Sequence, residues 1–115
     1  MNQYQQRFTK FSHKFDGHEA VFERMITIFL QDAPQRLDEI RDAHGEHAWE
    51  EISRAAHSLV NIAGTMQAFE AAEQARKLEA AVRARAYREL PDLIDSVETE
   101  IGLALAVVEG LHPQA

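Results

Sequence analysis

Apolar residues recur at intervals of three and four along almost the whole chain, and no stretch alternates apolar with polar residues between turn signals. The first pattern lines one face of an α-helix, whereas the second would mark a half-buried strand. Only five glycines and three prolines interrupt it, so the chain reads as all-helical. At 115 residues it has material for one hydrophobic core and little room for an enclosed substrate cavity. The expectation is a single domain over 1–115: an antiparallel up-down four-helix bundle over 16–111, with an additional short amino-terminal helix within 1–15.

Tyr4 to Phe15 carries Phe8, Phe11 and Phe15 at helical spacing, an amphipathic segment expected to lid the bundle. Asp16 followed by Glu19 resembles a capping box, after which Phe22, Met25, Ile26, Phe29, Ala33, Leu37 and Ile40 keep one face of a first long helix. Pro34 removes a backbone donor inside that helix; because the stripe continues in register beyond it, a kink is expected rather than a break. His44 and Gly45 mark a turn. A second helix follows from Trp49 to Met66, a third ends near Arg85, and a fourth runs from about Tyr87 to Gly110 with Pro91 tolerated in its first turn. Short connections between helices of similar length favour antiparallel neighbours.

Several function classes drop out on composition. Without cysteine there are no disulfides, no thiol catalysis and no cysteine-ligated zinc, which fits a reducing compartment. The longest apolar run, Ile101 to Val108, is too short to span a bilayer. Met1 to Lys10 is polar and unlike a signal peptide, so a cytoplasmic location and no membrane partner are expected. A formal net charge of -7 repels nucleic-acid phosphate, and no basic cluster offsets it. His44 and His47 stand three apart without a third ligand, so no metal site is expected, nor any cofactor. No phosphate-binding glycine loop is present, and no serine has the partners of a nucleophile.

The chemistry concentrates on the second of the long helices. At about 100° per residue, its buried stripe centres roughly 130° away from His57, which directs this imidazole to solvent. Ser53 and Arg54 lie one turn before it, Val60 and Asn61 one turn after it, and Gly64 two turns on at nearly the same azimuth. Gly64 costs the helix roughly 1 kcal/mol and leaves either a depression for something large to approach or room for close helix packing. Imidazole suits nucleophilic work near neutral pH, where much of it is unprotonated. Taken alone, an exposed helical histidine is most often an ordinary surface residue.

The surrounding residues change that balance. Ala56-His57-Ser58-Leu59-Val60-Asn61-Ile62-Ala63-Gly64 resembles the histidine phosphotransfer pattern A-H-x-L-K-G-x-A-G. Phe29-Leu30-Gln31-Asp32-Ala33-Pro34 is similar to that family's F-L-x-D-A-P segment, and Trp49 matches its aromatic residue eight positions before the histidine. Ala75-Arg76-Lys77-Leu78-Glu79 and Arg83 resemble its A-x-x-L-E-x-x-x-R helix, and the resemblance covers about Asp16 to Leu111. It implies a four-helix bundle that relays phosphoryl groups between aspartates of receiver domains and has no autokinase activity. His57 would be the phospho-accepting residue and Glu79 the carboxylate that orients it through Nδ1. Arg54 and Arg83 would lend positive charge, and Ser53, Val60, Asn61 and Gly64 would face a docked receiver. The implied partners are a response-regulator receiver domain or a hybrid sensor kinase, met by a monomer, and the metal would belong to the receiver.

Three positions differ from the pattern: Val60 stands where the family has lysine, Asn61 where it has glycine, and Gln67 where it has a further glycine. An exposed charge interaction is worth about 0.2 to 1 kcal/mol, so the missing lysine is expected to slow transfer by about fivefold. Two other readings stay open: a fold that binds receivers or another partner without transferring phosphate, and a helical bundle with a structural or dimerisation role.

Overall fold

The computed structural model describes residues 2–111; Met1 and 112–115, the two ends of the expected domain, lie outside the described residues. The described residues form five α-helices: α1 (Gln3–His13), α2 (Glu19–Gly45), α3 (Trp49–Thr65), α4 (Phe69–Arg83) and α5 (Leu90–Leu111). A 3₁₀ turn, Tyr87–Glu89, leads into α5, so the last helix starts three residues after the expected Tyr87. No strand occurs among the described residues. α3 packs against α2 and α4, α5 packs against the same two, and α1 lies on α5. The helices thus enclose one apolar core.

Phe29, Ile40, Ile52, Leu59, Leu78, Ile94, Val97 and Ile101 fill that core and are fully buried. Each comes from a stripe visible at intervals of three and four in the sequence, and each is worth about 1.5–3 kcal/mol by removal from water. Ala56, Ala63, Ala71 and Ala75 are buried between α3 and α4, and their small side chains let these two helices run close together. α2 continues unbroken through Pro34, as its uninterrupted stripe requires. Its start differs from the expected capping box. The helix begins at Glu19 with His18 in the cap position and no side-chain cap bond. Gly17, at φ 85, turns the chain between Asp16 and the helix, and Glu19 Oε1 instead accepts the Gly17 N–H at 3.1 Å.

Three of the helix exits share one construction. His47, Gln67 and Arg85 all take positive φ, at 58, 61 and 57. The next residue, an alanine each time, sends its N–H back five residues: Ala48 to Ala43, Ala68 to Ala63 and Ala86 to Ala81. This is the Schellman arrangement, in which a left-handed residue satisfies the last carbonyls of a helix, and glycine is its usual occupant. The glycine that the family pattern carries at Gln67 is accounted for by this φ.

α1 does more than lid the bundle. Phe8 is fully buried, with its ring 5.6 Å from that of Phe22. Tyr4 Oη donates to the Met66 carbonyl at 2.8 Å, and Arg7 Nη1 donates to the Gln67 carbonyl at 2.8 Å. Arg7 also meets both oxygens of Glu70 at 2.8 Å and lies 4.9 Å from the Phe69 ring centre. The left-handed Gln67 turn is therefore pinned from outside by α1.

Candidate functional site

α3 buries Ile52, Ala56, Leu59 and Ala63 and leaves the His57 side chain 59% exposed. Across from it on α4, Glu79 is the one buried charged residue among the described residues, its side chain 12% exposed. The two meet: His57 Nδ1 lies 3.0 Å from Glu79 Oε2. An ionised carboxylate can only accept, so this bond requires a proton on Nδ1, which in the neutral ring leaves the Nε2 lone pair free. Arg83, one turn along α4, donates from Nη2 to the same Oε2 at 3.1 Å. Glu79 and Arg83 are more than a solvated helix pair, because their shared oxygen carries the histidine as well.

Around them is an open groove of about 500 Å³ lined by Glu50, Ser53, Arg54, His57, Glu79 and Arg83. Arg54 is exposed, and its side chain has neither an ion pair nor a hydrogen bond among the described residues. It also borders a second groove with Glu39, Glu51, Ala55 and Ser58, so it stands on the ridge between the two. Glu50 was not singled out from the sequence. Its position seven residues before His57, two turns back on the same face, is the signal that would have found it.

Of the residues expected to face a partner, Ser53 lines the groove, whereas Val60, Asn61 and Gly64 lie beyond it along α3. Val60 and Gly64 are half-buried and Asn61 is exposed. A Cβ placed on Gly64 meets nothing within 4 Å, so this glycine is not there for helix packing and the space over it is open. Near Asn61, a small apolar groove of about 140 Å³ runs between α2 and α3, lined by Met25, Ile28, Phe29, Ile62, Thr65 and Met66.

His44 and His47 have a different setting. The His47 ring stacks on Trp49 at 5.0 Å, and Trp49 stacks on Tyr87 at 4.3 Å, both at 12°. The aromatic residue eight positions before His57 thus ties the α2–α3 turn to the start of the 3₁₀ segment. Among the described residues no group of three or more His, Asp or Glu side chains is arranged to hold a metal ion.

The profile of the Hpt domain family matches residues 24–109, well over half of the chain, and the chain belongs to that family. Hpt domains serve phosphotransfer in two-component relays and interact there with receiver domains and kinases. The match begins inside α2, so α1 and its Arg7 tie precede it. Comparison with curated proteins and with solved structures gives no match. No helix among the described residues is long and apolar enough to cross a membrane.

Proposed function

We propose that this chain is a histidine phosphotransfer protein, an up-down four-helix bundle with an added amino-terminal helix, that relays phosphoryl groups between aspartates of receiver domains through a phosphohistidine at His57. The observation that carries this reading is the pairing of an exposed imidazole with a buried carboxylate at 3.0 Å. Glu79 holds the proton on Nδ1, which makes Nε2 the nucleophile. Nε2 attacks the phosphorus of an aspartyl phosphate in line with the leaving oxygen; the N–P bond forms as the P–O bond breaks, and the receiver's carboxylate leaves. Nδ1 keeps its proton, and the positive ring that results is balanced by Glu79 and by the phosphoryl group itself. The reverse step passes the group to another receiver. Metal and acidic pocket are the receiver's contribution.

Arg54 and Arg83 supply positive charge at the groove, and beyond it along α3 Val60 replaces the lysine of the family pattern. Ser53, Val60, Asn61 and Gly64 lie under the docked receiver, and the open space over Gly64 admits its approach. The protein acts as a cytoplasmic monomer in a single domain, with a receiver domain or hybrid sensor kinase as partner. Val60 and Asn61 also motivate a second reading, a fold that binds receivers or another partner without transfer.

Incubation with a ³²P-labelled receiver domain separates these readings. Label appearing on the chain, and absent from a His57→Gln variant, supports transfer. A stable complex with no label supports binding alone, and neither outcome leaves a structural or dimerising bundle. The double change Val60→Lys with Asn61→Gly sharpens the result: a competent carrier changes little, whereas a dormant one gains transfer.

A further inference from the structure

The two arginines at the groove differ in what they are bound to, and that difference divides their work. Arg83 is committed: its Nη2 donates at 3.1 Å to the Glu79 oxygen that also meets His57 Nδ1. Arg54 has no such bond among the described residues, yet it lines the same groove one turn before His57. We propose that Arg54 is the cation that meets the phosphoryl group, taking over from the lysine position occupied by Val60, while Arg83 acts on His57 only through Glu79, as a positioning residue. This inference rests on the phosphocarrier reading and assigns roles within it.

The cost of moving each group decides between them. For Arg83, 72% exposed, to turn its whole fork to a phosphoryl group it must give up its Nη2 bond to Glu79, whose side chain is 12% exposed. That would leave a largely buried carboxylate with the His57 ring as its one partner among the described residues. It would do so at the moment when the same carboxylate must hold the Nδ1 proton. Arg54 loses no hydrogen bond by turning to the phosphoryl oxygens. Its position on the ridge lets it rest over the groove of Glu39 and Glu51 and swing to that of His57 when negative charge arrives. A guanidinium offers several donors in a fork that matches phosphoryl oxygens, so one arginine suffices. Ser53 lines the same wall and has no hydrogen-bond partner for Oγ among the described residues, so it adds a second donor from that side. The charge support has thus moved from the turn after the histidine to the turn before it, and Val60 and Asn61 are left as plain surface for the receiver.

The experiment uses the full chain and a ³²P-labelled receiver domain, with two readouts: the rate of label transfer to His57, and the ¹⁵N chemical shifts of the His57 ring nitrogens in the unphosphorylated protein. Arg54→Gln is expected to slow transfer by about fivefold, the size of one exposed charge interaction, and to leave the ring nitrogens unchanged. Arg54→Lys recovers part of the rate, and Val60→Lys placed in the Arg54→Gln chain recovers it from the other side of the ring. Arg83→Gln is expected to change the ring-nitrogen shifts, as the hold of Glu79 on Nδ1 alters, and Arg83→Lys to restore them. Unchanged transfer in Arg54→Gln, or unchanged ring nitrogens in Arg83→Gln, overturns the division. Absence of label on the parent chain overturns the phosphocarrier reading and with it the role of Arg54, whereas the ring-nitrogen comparison still decides that of Arg83.

Discussion

Arginine meets a helix-borne glutamate near the amino-terminal turn of α4 and again at its far end. At the start of the helix, Arg7 takes both oxygens of Glu70 at 2.8 Å and a backbone carbonyl besides. At its end, Arg83 takes one oxygen of Glu79 at 3.1 Å and shares it with His57. Each oxygen of the first carboxylate meets one arm of the same guanidinium, whose hydrogen bonds hold its pKa down to about 2. The second is more deeply buried and divides one oxygen between a cation and an imidazole. The same two residue types therefore make a structural tie in one place and, in the mechanism we propose, orient a nucleophile in the other. What separates them is the third group: an imidazole stands against Glu79 Oε2, whereas among the described residues the side-chain hydrogen bonds of Glu70 come from Arg7 alone.

Changes that break one side of this contrast should leave the other standing. The largest effect is expected at the apolar anchor of α1: Phe8→Ala should lower stability by about 3–5 kcal/mol, read from urea unfolding. A loss under 1 kcal/mol would mean that α1 is not fastened as the structure describes. Glu79→Gln should reduce phosphoryl transfer by about tenfold to a hundredfold, the usual range for removing a group that orients a functional histidine, while unfolding shifts far less than in Phe8→Ala. Equal transfer rates would remove Glu79 from the site.

Arg7→Ala should cost about 1 kcal/mol at neutral pH, after allowance for solvent screening of a half-exposed pair, without touching the His57 ring nitrogens. Its pH dependence has a definite sign. Because Arg7 lowers the folded-state pKa of Glu70, the stabilisation is complete above the ordinary glutamate value near 4.5 and is lost as pH falls toward about 2. The gap between parent and variant should therefore close over that window, and a gap that widened on acidification would contradict the tie. Smallest is Gln67→Gly, which should raise stability by up to about 1 kcal/mol by relieving a left-handed residue, partly offset by the freer unfolded chain. Thermal melts of the two proteins would detect it.

The helices were legible because their evidence is local. In the stripe of α2, Phe22, Ile26, Phe29, Ala33 and Ile40 became core, while Met25 and Leu37 are partly buried at its edge. His57 was legible as an exposed residue for the same reason, since its azimuth follows from the stripe of its own helix. Helix ends were read less well. The capping box at Asp16 and Glu19 gave way to a glycine turn, and three exits use His, Gln and Arg at positive φ, where glycine is the residue a sequence pattern looks for. Contacts between distant segments left the faintest trace. Nothing near Arg7 points to Gln67 and Glu70, and nothing near Trp49 points to Tyr87. The spacing of four between Glu79 and Arg83 was visible, but not that they share an oxygen with His57, which depends on how closely the alanine faces of α3 and α4 approach.

The central claim is that His57 Nε2 takes the phosphoryl group while Glu79 holds Nδ1. Treating ¹⁵N-histidine-labelled protein with a phosphorylated receiver domain, and recording two-bond ¹H–¹⁵N correlations of the ring, tests it directly. The expected result is phosphorus attached at Nε2 of His57 alone, with Nδ1 still protonated. Attachment at Nδ1, attachment to another histidine, or an unchanged His57 ring in the presence of a competent phosphorylated receiver would contradict it.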